Sequence, residues 1–131
     1  MRLLLDTHIW VWSLAEPEKL TLRVRRELAN QENEAWLSPI SIWEVLMLAE
    51  VGKLAAPAGT EGWVTDALRN VPLKEAPLTY EVALETRKLS LPNLDPADRF
   101  LAATAKVYGL ALVTADRRLL EAREIQVLAN R

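Results

Sequence analysis

Asp6, Glu44, Asp98 and Asp116 are the residues of this 131-residue chain whose types and settings point to chemistry. Asp6 ends the run Leu3, Leu4, Leu5. Asp116 follows Leu110, Ala111, Leu112 and Val113 through Thr114 and Ala115, so each of two short apolar runs delivers an acid at its C-terminal edge. Runs that are apolar on both faces read as strands of a parallel sheet, which gathers its strand ends on one rim. That rim is where open α/β sheets bind ligands. Two acids placed there suggest a metal site.

Glu44 has Ile40, Ser41, Met47 and Leu48 as its helical neighbours at three and four positions, so it sits on an apolar face with no basic residue in reach on its own helix. Desolvating an unpaired carboxylate costs several kcal/mol or raises its pKa, so Glu44 must have a partner. A distant arginine is one answer. Taken singly, the aspartates also have ordinary readings. Asp6 and Asp116 suit helix N-caps, worth about 1 kcal/mol each. Asp98 stands three residues after the cap candidate Asp95, the spacing of a capping box. Taken together, two strand ends, one helix face and one helix N-terminus are expected to converge on a common pocket. Carboxylates so grouped cannot all ionise unless cations compensate, and hard divalent ions such as Mg²⁺ or Mn²⁺ prefer oxygen ligands. The chain has no Cys and one His, which argues against zinc and leaves His8 structural or substrate-facing.

The elements that must position these acids alternate between strand and helix. Five short strands are expected at residues 2–5, 35–37, 71–73, 110–113 and 126–128. Between them the pattern predicts helices from Asp6 or Thr7 through Leu14, at 21–31, after the Ser38–Pro39 cap through 51, at 60–69, 79–89 and 95–108, and a short one from Arg117. Gly52, Pro92 and Gly109 read as stops, and 55–59 as a loop. Trp10 and Trp12 point about 200° apart on the first helix, so one of them is expected to face either a neighbouring helix or a second copy of the chain. Trp36 and Trp43 read as core, and Trp63 stays open between a partner anchor and a lid. The length suits one domain spanning 1–131.

Half of the residues are hydrophobic and 26% are charged, a balance that excludes disorder and low complexity. Absence of cysteine, of a basic apolar leader and of any run of about 20 apolar residues leads to the expectation of a soluble, cytoplasmic protein. A net charge of −2 is unusual for a nucleic-acid binder. Pairing four carboxylates with cations would leave +2 on the rest of the surface. Arginines cluster at Arg23, Arg25 and Arg26 and again at Arg117, Arg118 and Arg123. A solvated helix face is the plainer reading of each cluster, and phosphate contact the sharper one.

Four motifs, LLLDTHIWVW, SPISIWEV, LDPADRFLAATA and LVTAD, run in order over nearly the whole chain. In these the sequence resembles PIN-domain ribonucleases, specifically VapC-type toxins of toxin–antitoxin pairs. The resemblance implies a three-layer α/β/α fold around a central, mostly parallel sheet of about five short strands. It implies Asp6, Glu44, Asp98 and Asp116 as an acidic quartet holding one or two Mg²⁺ or Mn²⁺ ions for hydrolysis of RNA phosphodiester bonds. Thr7 and Thr114 would orient the quartet, and Asp95 would cap first and support the acids second. Arg99 would pair with a carboxylate in preference to a phosphate. A cognate antitoxin and a second copy in a homodimer are the implied partners. A catalytically silent binding module of the same fold and a stand-alone nuclease are the alternatives. Haloacid-dehalogenase-like phosphatases and proofreading exonucleases want an acid two positions after the first aspartate, where this chain has His8.

Overall fold

In the computed structural model, which describes residues 1–53, 59–91 and 95–131, the N-terminal leucines form the central strand of a sheet. Strand β1 (Arg2–Leu5) lies between β2 (Glu34–Leu37) and β4 (Ala111–Thr114); β3 (Lys74–Glu75) and β5 (Gln126–Ala129) are the edges. The order β3-β2-β1-β4-β5 is parallel throughout, with Leu4 level with Trp36 on one side and Leu112 on the other. The chain first winds outward from β1 through β2 to β3, then returns to the other side of β1 for β4 and β5. The switch point of such a sheet is the crevice between the C-terminal ends of β1 and β4.

The two-residue period of the strands sorts their side chains into two cores. Leu3, Leu5 and Val113 pack with Ile9, Trp10, Val24, Val45 and Val64 from α1 (Thr7–Ala15), α2 (Leu22–Ala29), α3 (Pro39–Glu50) and α4 (Thr60–Asn70). Leu4 and Leu112 pack on the opposite face with Val82, Leu101, Ala105 and Leu119 from α5 (Tyr80–Glu85), α6 (Pro96–Tyr108) and α7 (Arg117–Leu120). The result is the expected three-layer α/β/α fold. No helix among the described residues is long and apolar enough to cross a membrane.

Local chemistry fixes the helix starts. Ser38 Oγ accepts the Ile40 amide at 3.0 Å ahead of Pro39, Thr21 accepts Val24, Thr79 accepts Val82, and Asp95 Oδ1 accepts the Asp98 amide at 2.8 Å ahead of Pro96. Gly109 closes α6 at φ 65°, in the left-handed region open to glycine. Two expectations shift. The strand expected at 71–73 forms instead at Lys74–Glu75, because Pro72 has no amide to give a ladder and pairing begins beyond it. The helix expected at 79–89 stops at Glu85. There Thr86 Oγ1 donates back to the Ala83 carbonyl, and the Arg87 and Lys88 amides take carbonyls only three residues back, the bonding of a tightening last turn. The expected loop at 55–58 and the stop at Pro92 lie outside the described residues.

Candidate metal centre

Asp6 leaves β1 at the switch point, its amide bonded to the Val113 carbonyl of β4 at 3.0 Å. It occupies the N-cap position of α1 but its side chain makes no cap bond. Instead its buried carboxylate accepts the Thr114 hydroxyl at 2.6 Å, which ties the end of β1 to the end of β4. Thr7 performs a similar service across helices. Its hydroxyl donates to Ser41 Oγ on α3 at 2.9 Å and stands close enough to the Glu44 carboxylate to lower its proton affinity, partly offsetting burial. Asp98 enters from the first turn of α6, buried and three residues beyond its cap Asp95. Asp116 does cap α7, accepting the Arg118 amide at 2.8 Å, and it also holds the Arg118 guanidinium at 3.1 Å.

Asp6, Glu44, Asp98 and Asp116 line one cavity of about 400 Å³, together with His8, Trp12, Asp95, Ala115 and Arg118. The convergence expected from the sequence is therefore present in the fold. Three of the acids hold their protons more tightly than usual. Burial raises Asp6 against the opposing pull of the Thr114 bond, and burial raises Glu44 with Asp6 and Asp95 adding to it against Thr7. Asp98 is pushed up to about 7 by burial and by the charges of Asp95, Asp6, Asp116 and Glu44. Asp116 goes the other way: partial burial would raise it, but the hydrogen bonds and charge of Arg118 outweigh burial and hold it low.

Among the described residues, no three of these groups are arranged so as to hold an ion as they stand. The donor chemistry nevertheless fits one. Every candidate ligand is a carboxylate oxygen, and the mutual repulsion that adds to burial in pushing Asp98 up to about 7 is what a divalent cation relieves. Asp6, Glu44, Asp98 and Asp116 are the residues that would hold it.

Other expectations require correction. Among the described residues the Arg99 guanidinium pairs with no carboxylate. It gathers three backbone carbonyls, those of Thr86 (3.0 Å), Leu89 (3.5 Å) and Leu91 (2.5 Å), and so ties the segment after α5 to α6. Trp43 is 52% exposed and lines an apolar groove with Ile42, Leu46 and Leu68, where the sequence reading placed it in the core. Trp36 packs on the second core as expected, stacked on Tyr108, and Trp63 packs against the fully buried Trp10. Trp12 turns to the acidic cavity, tilted against His8 at 5.8 Å. The sequence reading missed Trp12 as a site residue, although it follows His8 by one helical turn. It also left Arg118 on a solvated face, although it lies two positions after Asp116.

The chain belongs to the class of three-layer α/β proteins whose parallel sheet collects carboxylates at its switch point. Within that class this chain is a member of the PIN-domain family, whose model matches residues 3–125. Ribonuclease VapC22 of Mycobacterium tuberculosis is 34% identical over 119 residues, 88% of either protein. The fold is shared with a VapBC complex of Salmonella typhimurium bound to DNA (TM-score 0.75, 20% identity, 100% of this chain and 99% of that one). It is shared equally with VapBC2 of Rickettsia felis bound to a fragment of its promoter (TM-score 0.74, 17% identity, 98% of each chain).

Proposed function

We propose that this chain is a divalent-metal-dependent ribonuclease hydrolysing RNA phosphodiester bonds, and the toxin of a toxin–antitoxin pair. The observation that carries the chemistry is the convergence of Asp6, Glu44, Asp98 and Asp116 on one cavity at the switch point. The likeness to Ribonuclease VapC22 supports RNA as substrate, and the likeness to VapBC complexes supports a cognate antitoxin as partner. Cytoplasmic action on RNA and assembly as a homodimer belong to the same reading. The case for a dimer does not rest on the tryptophans of α1, which are engaged within the chain. Its support is the exposed pair Tyr80 and Leu84 on α5, one turn apart.

One or two Mg²⁺ or Mn²⁺ ions held by the quartet would neutralise charge on the phosphate and acidify an attacking water. The remaining work falls to the chain itself. Thr114 fixes the Asp6 carboxylate and Thr7 fixes Glu44, so both acids are oriented before substrate arrives. Glu44 and Asp116 are the carboxylates placed to take the proton of the attacking water. Ser41 backs Thr7, and Asp95 holds the start of α6 that carries Asp98.

The test is Mn²⁺-dependent cleavage of a mixed RNA pool by antitoxin-free wild type and by Asp6→Asn, in which an amide oxygen can still accept the Thr114 hydroxyl. Cleavage by the wild type alone, abolished by chelator, is the expected result. No cleavage by either protein, with the fold intact, favours the silent binding module. Equal cleavage by both removes Asp6 from the site.

A further inference from the structure

We infer that Arg118 is a resident counter-cation of the acidic centre, spanning Asp98 and Asp116 until a metal ion displaces it and then turning to the RNA phosphate. The inference rests on the metal-centre reading above and assigns a role to a residue that this reading leaves unused. Its Nη2 lies 3.1 Å from Asp116 Oδ2 and 3.7 Å from Asp98 Oδ2, and its Nε lies 3.4 Å from Asp116 Oδ1. One guanidinium thus reaches acids from two elements, α6 and the start of α7, where a cation shared by Asp98 and Asp116 would also have to sit.

Burial is unequal in this bridge. The Asp98 and Asp116 side chains are 10% and 26% exposed, and that of Arg118 is 52% exposed. A half-exposed arginine holds such a pair weakly, because solvent screens it, and leaves it readily. A divalent ion brings twice the charge and a preference for carboxylate oxygens. Displacement does not unravel α7, because Asp116 Oδ1 keeps the Arg118 backbone amide as its cap. The freed guanidinium then stands at the cavity mouth two residues from a proposed ligand, and its planar fork matches a phosphate.

A single substitution should therefore move metal and RNA affinity in opposite directions, which a merely structural arginine would not do. Mn²⁺ binding by calorimetry and the RNA KM at saturating Mn²⁺ are measured for wild type, Arg118→Gln and Arg118→Lys, with circular dichroism confirming the fold. Arg118→Gln is expected to bind Mn²⁺ about three- to fivefold more tightly and to raise KM severalfold. Arg118→Lys, which keeps the charge without the fork, is expected to fall between it and wild type in both. Unchanged or weakened Mn²⁺ binding in Arg118→Gln, with wild type binding Mn²⁺ normally, overturns the role of Arg118 and leaves the ribonuclease reading standing. Failure of all three proteins to bind Mn²⁺ overturns both.

Discussion

Asp98 carries the consequence of burying a carboxylate among others. Its folded-state pKa of about 7 lies above the ordinary 3.8, so between those values the native state keeps a proton that the unfolded chain releases. Its contribution to stability is present below pH 4 and is lost as pH rises towards 7. Burial moves Asp6 and Glu44 in the same direction. With chelator present, Asp98→Asn is expected to be more stable than wild type at pH 8 by about 1–3 kcal/mol, and the gap to close near pH 4, as read by urea denaturation. Trp10 offers a second test. Its ring is fully buried and its Nε1 has no hydrogen-bond partner among the described residues. Removing an unsatisfied donor offsets lost volume, so Trp10→Phe is expected to cost less than about 1.5 kcal/mol, against about 3–5 kcal/mol for Trp10→Ala. At this scale the acids were legible in the sequence, since residue type and apolar framing identify them. The resemblance also named Thr7 and Thr114 as their supports, but which threonine meets which acid, Thr114 on Asp6 and Thr7 on Glu44, depends on side-chain directions that only the packed fold sets.

Strands β1 and β4 were legible because fully buried strands have to be apolar, and the cap pairs Ser38–Pro39 and Asp95–Pro96 announced α3 and α6. The edge strand β3 and the end of α5 were not. β3 carries no apolar signal, being Lys74 and Glu75, and is placed by pairing with β2 and by the Lys74–Glu34 ion pair at 2.8 Å. Trp43 misled because α3 is apolar on more faces than it buries. Arg99 misled because adjacency in sequence to Asp98 puts the two on different faces of α6. Its actual work is at the scale of elements: three carbonyls that no helix satisfies beyond the end of α5 are satisfied by one guanidinium from α6. Arg99→Gln is expected to lower stability by about 2–3 kcal/mol, because part-buried carbonyls lose a charged donor. Its Mn²⁺ affinity is expected to stay at the wild-type value, since the side chain bonds none of the acids. Calorimetric melting and Mn²⁺ titration of the same sample separate the two effects.

Across the whole molecule the four acids come from positions 6, 44, 98 and 116, so the centre joins β1, α3, α6 and the end of β4, which span nearly the full chain. An ion held by all four would cross-link elements on both faces of the sheet and would bind the native state only, since the unfolded chain presents no such cluster. Its binding free energy then adds to folding stability, about 2.7 kcal/mol at a hundredfold excess over the dissociation constant. The gain should grow with pH, because Asp98, Asp6 and Glu44 must lose their protons to serve as ligands and each holds its proton above the usual range. Mn²⁺ is therefore expected to raise the melting temperature clearly at pH 8 and hardly at pH 5, with chelator reversing the rise. Asp6→Asn is expected to lose most of the increment at either pH. A rise of equal size at both pH values, or one retained in full by Asp6→Asn, would place the ion outside the acidic centre. The same linkage bears on the net charge of −2, which argued against a nucleic-acid substrate when the sequence was taken alone. Composition counts carboxylates wherever they lie, whereas RNA meets the field at the cavity mouth. There an ion would reverse the local sign while the distant surface kept its charge.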